Sequence, residues 1–315
     1  MSNVNHSASA APATPLQFAA LAGGADWHAV DFISDLHLQA SEMTTFTAWQ
    51  QYMQTTTASA LFILGDLFEV WLGDDVLGHD VLGHDVLGHD VLGHDVLDAA
   101  SQTAASGAAQ TLLAEPFAFE AQCARILRAT AQRIPVFYMS GNRDFLLGAD
   151  FLKRTHLQGL RDPTVLSLHS LNGQSYLLTH GDALCLDDVD YQVFRTMVRN
   201  PAWQAAFLAK PLAERQQIAR HLRDQSEAVQ TGRAEAGLAY SDVDEPAALQ
   251  WLQQSGGHHM VHGHTHRPAD HAVWGAAVGA QRYVLSDWEA DTKPARLQVL
   301  RITERGVDRL PLLAS

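Results

Sequence analysis

Short, mostly apolar runs, each closed by glycine or a small polar residue, recur along this chain. Residues 29–34 (AVDFIS), 60–64 (ALFIL), 134–140 (IPVFYMS), 175–179 (SYLLT) and 259–262 (HMVH) have the length and texture of short buried strands. Stretches with helical apolar spacing at 43–56 and near 117–132 separate the first three of them. This alternation predicts an α/β fold. The first three runs are followed at once by Asp, Gly-Asp or Gly-Asn. A strand that ends this way sets a short polar side chain at the carboxyl edge of its sheet, where open α/β sheets hold their sites.

Three segments break the pattern. Residues 1–27 are rich in Ala, Ser and Pro and aperiodic, without the basic start and apolar stretch of a secretory signal, and are expected to be a disordered extension. Residues 76–95 are four perfect copies of Val-Leu-Gly-His-Asp, and residues 98–114 are rich in Ala, Ser, Thr and Gln. A period of five fits neither helix nor strand, so 76–114 reads as an inert insertion loop, although a His/Asp tract can also hold metal loosely. From Tyr191 to Arg233 the chain turns helical and basic. Seven cations, at 195, 199, 210, 215, 220, 223 and 233, face only Glu214, Asp224 and Glu227, and Tyr191, Phe194, Trp203 and Phe207 are interleaved. That is either an amphipathic helical hairpin packed on the core or a cap that receives an acyl chain and rests on anionic lipid.

Composition narrows the function. The 315 residues are ample for one large core. A formal net charge of −14, four units of it from the repeat aspartates, excludes a broad nucleic-acid surface, because neutralising phosphates needs clustered cations. No apolar run approaches the roughly 18 residues of a membrane span. Two cysteines, Cys123 and Cys185, cannot frame a disulfide fold and fit a reducing compartment. Seventeen histidines are many, and only four belong to the repeat.

Five short elements collect the remaining chemistry: Asp35-Leu-His37, Gly65-Asp66, Gly141-Asn142-Arg143-Asp144, His180-Gly181-Asp182 and Gly263-His264-Thr-His266. Each is weak alone. Together they supply two carboxylates, four imidazoles and one amide oxygen, the number and hardness of ligand that two divalent cations need while leaving room for water and substrate. Asp66 is the natural bridge, since a carboxylate can offer one oxygen to each ion and an imidazole cannot. The single intervening residue in Asp-x-His and His-x-His is expected to keep both ligands on one side of an extended segment.

The ordered set resembles the calcineurin-like metallophosphoesterase superfamily over roughly residues 29–290. That resemblance implies a four-layer α-β-β-α sandwich, with Asp35, His37 and His266 on one metal, Asn142, His180 and His264 on the other, and Asp66 between them. Most members carry His after Gly-Asn, but this chain has Arg143, whose guanidinium would stabilise phosphate charge rather than donate a proton. The longer phrases GDLFEVWLGDD (65–75), GNRDFLLG (141–148), HGDALCLDD (180–188) and HGHTHRP (262–268) are similar to the UDP-2,3-diacylglucosamine diphosphatases of lipid A synthesis. The finer resemblance implies attack by a metal-activated water at the α-phosphorus, giving UMP and 2,3-diacylglucosamine 1-phosphate, with two Mn²⁺ ions preferred and Fe²⁺ or Zn²⁺ also fitting the ligands. It implies a cytoplasmic enzyme held peripherally on the anionic inner-membrane surface, with no nucleic-acid partner and no obligatory protein partner. It implies substrate contacts from Asn142, Arg143, Asp188 and His264, and a lipid-binding cap over 190–250. Where that family's cap has Ser-x3-Asn-x2-Lys, this chain has Ser226, Gln230 and Arg233, which changes amide reach and cation geometry.

Other residues invite plainer roles. Glu69 is expected to open a helix after the second strand and to cap it or support a ligand. Asp144 and Asp182 are expected to orient neighbouring ligands or close their turns, His262 to pack beneath the site, and Trp288 to fill core. Two competing functions remain: a two-metal phosphodiesterase for a soluble nucleotide, which needs no apolar cleft under the cap, and a non-catalytic interaction module, which would lack ligands.

Overall fold

Parallel strands that are apolar on both faces need cover on both, and the chain supplies it with a second sheet inside and helices outside. The computed structural model describes residues 16–78, 117–235, 241–273, 275 and 279–312, except the side chains of 225–235. In chain order its elements are β1 (Ala19–Ala22), β2 (Ala29–Ile33), α1 (Met43–Thr55), β3 (Ala60–Leu64), a 3-10 turn (Asp74–Leu77), α2 (Ala118–Ala131), β4 (Val136–Met139), α3 (Ala149–Thr155), β5 (Gln158–Leu160), β6 (Thr164–Leu168), β7 (Gln174–Leu178), α4 (Val189–Val198), α5 (Pro201–Leu208), α6 (Leu212–Glu235), α7 (Glu245–Ser255), β8 (His259–His262), β9 (Ala269–Ala272), β10 (Gln281–Val284), β11 (Gln298–Thr303) and β12 (Gly306–Pro311). A further short 3-10 turn spans Asp182–Leu184.

One sheet has the order β12-β11-β2-β3-β4-β5 and the other β1-β6-β7-β8-β10-β9. Strands β2 to β5 run parallel, as do β7, β8 and β10. Val30, Phe32, Phe62, Leu64, Phe137 and Met139 from the first sheet meet Leu166, Tyr176, Leu178, Val261 and Tyr283 from the second. Phe62 stacks on both neighbours in register, with ring centroids 5.0 Å from Phe32 and 4.6 Å from Phe137. The alternate residues Ile33, Leu61, Ile63 and Val136 face outward onto Phe46, Trp49 and Met53 of α1 and Phe119 and Leu127 of α2. Leu177 and Met260 on the outer face of the second sheet meet Ala248 and Leu252 of α7. These three clusters make the four layers that the resemblance implied.

Three boundaries differ from expectation. Order begins before residue 28: β1 adds a parallel edge strand to β6, and Trp27 packs edge-on to Phe62 and Phe137. Main-chain pairing and two aromatic anchors, Trp27 and Phe18 against Trp251, hold that segment, and neither leaves a periodic signal; residues 1–15 lie outside the described residues. The basic segment forms three helices, α4 to α6, rather than a hairpin, and the stretch from 245 belongs to the outer layer as α7 and not to the cap. The first pentapeptide copy is not inert, since Val76 and Leu77 are buried in the core. The remaining copies and the rest of the loop to 114 lie outside the described residues.

Candidate metal centre and the cavity above it

All five expected elements lie just past the carboxyl ends of parallel strands: Asp35 after β2, Asp66 after β3, Asn142 after β4, His180 after β7 and His264 after β8. The two sheets therefore deliver their loops to one edge of the sandwich. Those loops are not extended. Asp35, His37, Asp66, His264 and His266 all have positive φ, between 46° and 68°, and they are five of the seven non-glycine residues in that region among the described residues. The expected strand-like alternation in Asp-x-His and His-x-His is thus corrected: each pair sits on a left-handed turn that aims both side chains into one hollow. Such backbone costs about 1–3 kcal/mol per residue and persists only where the surroundings enforce it. Here the enforcement is a lattice of main-chain bonds, Asp35 N to Gly65 O (3.1 Å), His37 N to Asp66 O (3.0 Å) and Gly263 N to His180 O (2.9 Å). The glycines of the motifs have a steric reason too. A Cβ on Gly141 would collide with the Asp66 carboxylate, and one on Gly263 with that of Asp35.

The ligand atoms form two adjoining groups. Asp35, His37 and His266 lie mutually within 4.8 Å, as do Asp35, Asp66 and His180. His37 Nε2 is 3.2 Å from His266 Nε2. Asn142 Oδ1 is 2.8 Å from His180 Nε2 and 2.9 Å from His264 Nδ1. The electrostatics call for positive charge. His180 Nδ1 donates to the Leu64 carbonyl at 2.8 Å, which leaves Nε2 facing the acceptor oxygens of Asn142 and, at 3.7 Å, Asp66. Burial alone would lower the pKa of His180, yet the carboxylates of Asp66, Asp182 and Asp35 raise it to about 9. His266 is likewise opposed by burial but raised to about 8 by its hydrogen bond to Asp35 and that carboxylate's charge. Burial and the neighbouring His180 push His264 down to about 4. Carboxylates that draw protons onto their neighbouring imidazoles also suit divalent cations, which can take the place of those protons, and the mixed oxygen–imidazole set suits Mn²⁺, Fe²⁺ or Zn²⁺.

Supporting residues surround the hollow. Asp144 accepts from the Gly141 N–H at 2.8 Å and the Leu67 N–H at 2.7 Å, which ties the Asn142 loop to the Asp66 loop. Burial, with Asp66 nearby, pushes its carboxyl up to about 6. Glu69 does not open a helix. It lies on a bend, buried, with its carboxylate 2.9 Å from His37 Nδ1, 2.9 Å from Arg223 and 3.5 Å from Arg143. The main-chain N–H of Arg143 donates to Asp66 Oδ1 at 2.8 Å. Asp188 caps α4, accepting from the Tyr191 N–H at 3.2 Å, and also lines the cavity. His262 is fully buried under the centre and Trp288 is core, both as expected. Ser226, Gln230 and Arg233 fall on the backbone of α6, but their side chains lie outside the described residues.

Sequence reasoning missed Asp287, which is buried 3.7 Å from His266 Nδ1 and clamped by Arg296 at 2.9 Å, and it missed the ring of Tyr191 stacked on His264. An isolated Ser-Asp-Trp gives no signal for the first. The aromatic spacing of the basic segment could have suggested the second.

From this polar floor a cavity of about 1010 Å³ runs between the platform and the cap. Its far walls are apolar: Trp71, Leu72 and Phe145 from the platform, and Trp203, Phe207 and Leu222 from the cap. Trp203 stacks on Phe207 at 5.1 Å, and Arg215, almost fully buried, anchors α6 to Asp75. A site with a cation-binding floor and an apolar roofed channel fits an anionic head joined to hydrocarbon. The comparisons agree. The profile of the calcineurin-like phosphoesterases matches residues 28–268. The chain belongs to that family. It is similar to the UDP-2,3-diacylglucosamine hydrolase of Chromobacterium violaceum, with 40% identity over 292 residues, 90% of this chain and 99% of the relative. The proteins of the same name from Aromatoleum aromaticum and Stenotrophomonas maltophilia are 38% and 37% identical, over 82% of this chain and 89% and 90% of theirs. Family membership implies a dinuclear divalent-metal centre, and the two groups above are its candidate ligands.

Proposed function

We propose that this protein hydrolyses the pyrophosphate of UDP-2,3-diacylglucosamine, releasing UMP and 2,3-diacylglucosamine 1-phosphate in lipid A synthesis. The observation that carries this reading is the continuity of the ligand cluster with the apolar cavity under α4 to α6. A soluble nucleotide would have no use for walls of Trp71, Phe145, Trp203 and Phe207. A non-catalytic module would have no use for seven convergent candidate ligands, five of them on enforced, left-handed backbone.

Asp35, His37 and His266 would hold one cation, Asn142, His180 and His264 the other, with Asp66 shared. When bound, such cations draw charge from phosphoryl oxygens and make water a nucleophile near neutral pH. The chain's own residues do the rest. Asp144 and Glu69 hold the loops that carry the ligands. The Arg143 guanidinium, partly exposed at the cavity wall, forks onto phosphate oxygens and offsets charge as the bond to the leaving 2,3-diacylglucosamine 1-phosphate breaks. The cap walls take the acyl chains and exclude water from the reacting phosphorus. Asp188, at the wall, is within the region that would meet the sugar head, and Ser226, Gln230 and Arg233 would contribute from α6.

Mn²⁺ as the resident metal and peripheral attachment to the cytoplasmic face of the inner membrane belong to the same proposal. No helix among the described residues is long and apolar enough to cross a membrane. Attachment is better supported by exposed Val189, Val193 and Met197 on α4 than by the cap cations, since Arg195, Arg199, Lys210, Arg215 and Arg223 all engage protein partners.

The test is UMP release from the acylated substrate in mixed micelles, with Mn²⁺ or with EDTA, beside UDP-N-acetylglucosamine and an aryl phosphodiester. EDTA-sensitive release of UMP is expected from the acylated substrate and not from UDP-N-acetylglucosamine, with only slow cleavage of the aryl phosphodiester. Cleavage confined to the soluble esters would keep the metal centre and discard the lipid substrate.

A further inference from the structure

Helix α4 belongs to the cap, yet its inner face is bolted to the floor. Tyr191, Arg195 and Arg199 stand at positions i, i+4 and i+8, so all three project from one side of the helix. All three converge on Asp182, and each adds a contact of its own to another loop of the ligand cluster or its base. The Tyr191 hydroxyl donates to Asp182 Oδ2 at 2.6 Å, while its ring stacks on His264 with centroids 5.9 Å apart. Arg195 Nε donates to the same Asp182 oxygen at 2.8 Å, and its Nη2 lies 4.0 Å from Asp162. Arg199 donates through Nη1 to Ser140 Oγ and through Nη2 to the Gly141 carbonyl, both at 2.8 Å, with Asp182 at 3.8 Å.

These contacts are selective. Gly141 immediately precedes Asn142, and Asp182 stands two residues after His180; His264 is touched directly. The three candidate ligands of the second cation are therefore all set from α4. Of the first cation's candidates, His37 and His266 are braced by Glu69 and Asp287, and Asp35 by Ser34 together with the His264 N–H, none of them by a side chain of α4. Asp182 is fully buried and the Asp162 side chain nearly so, so the two guanidinium groups also supply the positive charge those carboxylates require. No partner of this kind would be needed for a lid that merely covers a cavity.

We propose that Arg195 and Arg199 are positioning residues for the second cation: through them the cap helix is a working part of the metal centre, and its seating determines whether Asn142, His180 and His264 converge. The proposal rests on the ligand assignment above. It implies that the second ion binds weakly when α4 is unseated, while the first binds normally.

The experiment is calorimetric titration of the metal-free full chain with Mn²⁺, for the wild type, Arg199→Ala, Arg199→Lys and Arg195→Ala, with circular dichroism to verify folding. The wild type is expected to take two ions. Arg199→Ala and Arg195→Ala are expected to keep one site at wild-type affinity and weaken the other at least tenfold, with Arg199→Lys in between because it keeps the charge but not both donors. Wild-type affinity at both sites in Arg199→Ala overturns the proposal, as does equal weakening of both, which marks a general structural role. Should Arg199→Ala fail to fold, an unchanged second site in Arg199→Lys overturns it instead. A wild type that binds fewer than two ions overturns the ligand assignment itself, which is a separate failure from the loss of selectivity.

Discussion

At the scale of single residues, left-handed backbone and close glycines turn a weak set of motifs into one centre. Gly141 and Gly263 are the sharpest case, because a methyl group at either meets a ligand carboxylate. Gly141→Ala and Gly263→Ala are each expected to lower turnover at least a hundredfold and to reduce Mn²⁺ uptake, with the thermal midpoint of the metal-free protein lowered by an overpacking cost of about 1–3 kcal/mol; activity within tenfold of wild type would count against the cradle. Asp66→Ala and His180→Ala are expected to abolish turnover in a folded chain. The imidazoles also dictate a pH response. His180 and His266 have folded-state pKa values of about 9 and about 8, above their ordinary 6.5. Their protonated forms thus stabilise the metal-free fold fully below about pH 6.5, and that contribution fades as pH rises through 8 and 9. A cation needs the same nitrogens deprotonated, so Mn²⁺ affinity is expected to climb over that range with release of protons. Melting curves with and without Mn²⁺ from pH 6.5 to 9 check this: the metal-free midpoint falls and the stabilisation by metal grows.

At the scale of elements, the parallel strands act as rails and the cap helices as a roof. Phe62 lies between Phe32 and Phe137 with no exposure. Phe62→Ala is expected to cost about 3–5 kcal/mol in chemical denaturation, since the facing sheets cannot collapse onto the gap. The roof is tested through the cavity wall. Ala219 lines the channel from α6. Filling it with Ala219→Trp is expected to raise KM for the acylated substrate at least tenfold while cleavage of a small aryl phosphodiester stays within twofold. Equal effects on both substrates would remove the acyl chains from this channel. The strands, helices α1 and α2, and the basic character of the cap were legible, because burial and amphipathic spacing mark them locally. The division of the cap into three helices was not, since Pro201 and Pro211 open turns whose geometry depends on what α5 and α6 pack against.

At the scale of the whole molecule, twelve strands in two sheets among the described residues bring loops more than 200 positions apart, such as those of His37 and His266, to one edge. The acidic net charge of −14 is not spread evenly around the centre, which carries Arg143, Arg223 and Arg296 at its rim. Within this frame the pentapeptide tract is a test of modularity. Its first copy supplies buried Val76 and Leu77, and Asp75 before it holds Arg215. Removing residues 81–95 is therefore expected to leave turnover within twofold and the melting temperature within a few degrees, whereas a deletion that starts at Asp75 is expected to unseat α6 and destabilise the chain.

The sequence by itself pointed to seven candidate ligands, the α/β class and the presence of a basic, aromatic cap, because each depends on residue types in a fixed local order. It could name Asp35 and His37 as partners but not the left-handed turn that aims them, and it wrongly inferred an extended one. Only the tertiary structure decided that Glu69 leaves the helix expected of it to brace His37, that Asp287 and Arg296 stand behind His266, and that cap cations face inward to Asp182, Gly141 and Asp75 rather than outward. Those choices join residues remote in the chain. Their energies depend on burial and on which charge lies opposite, and neither exists until the two sheets have closed on one another.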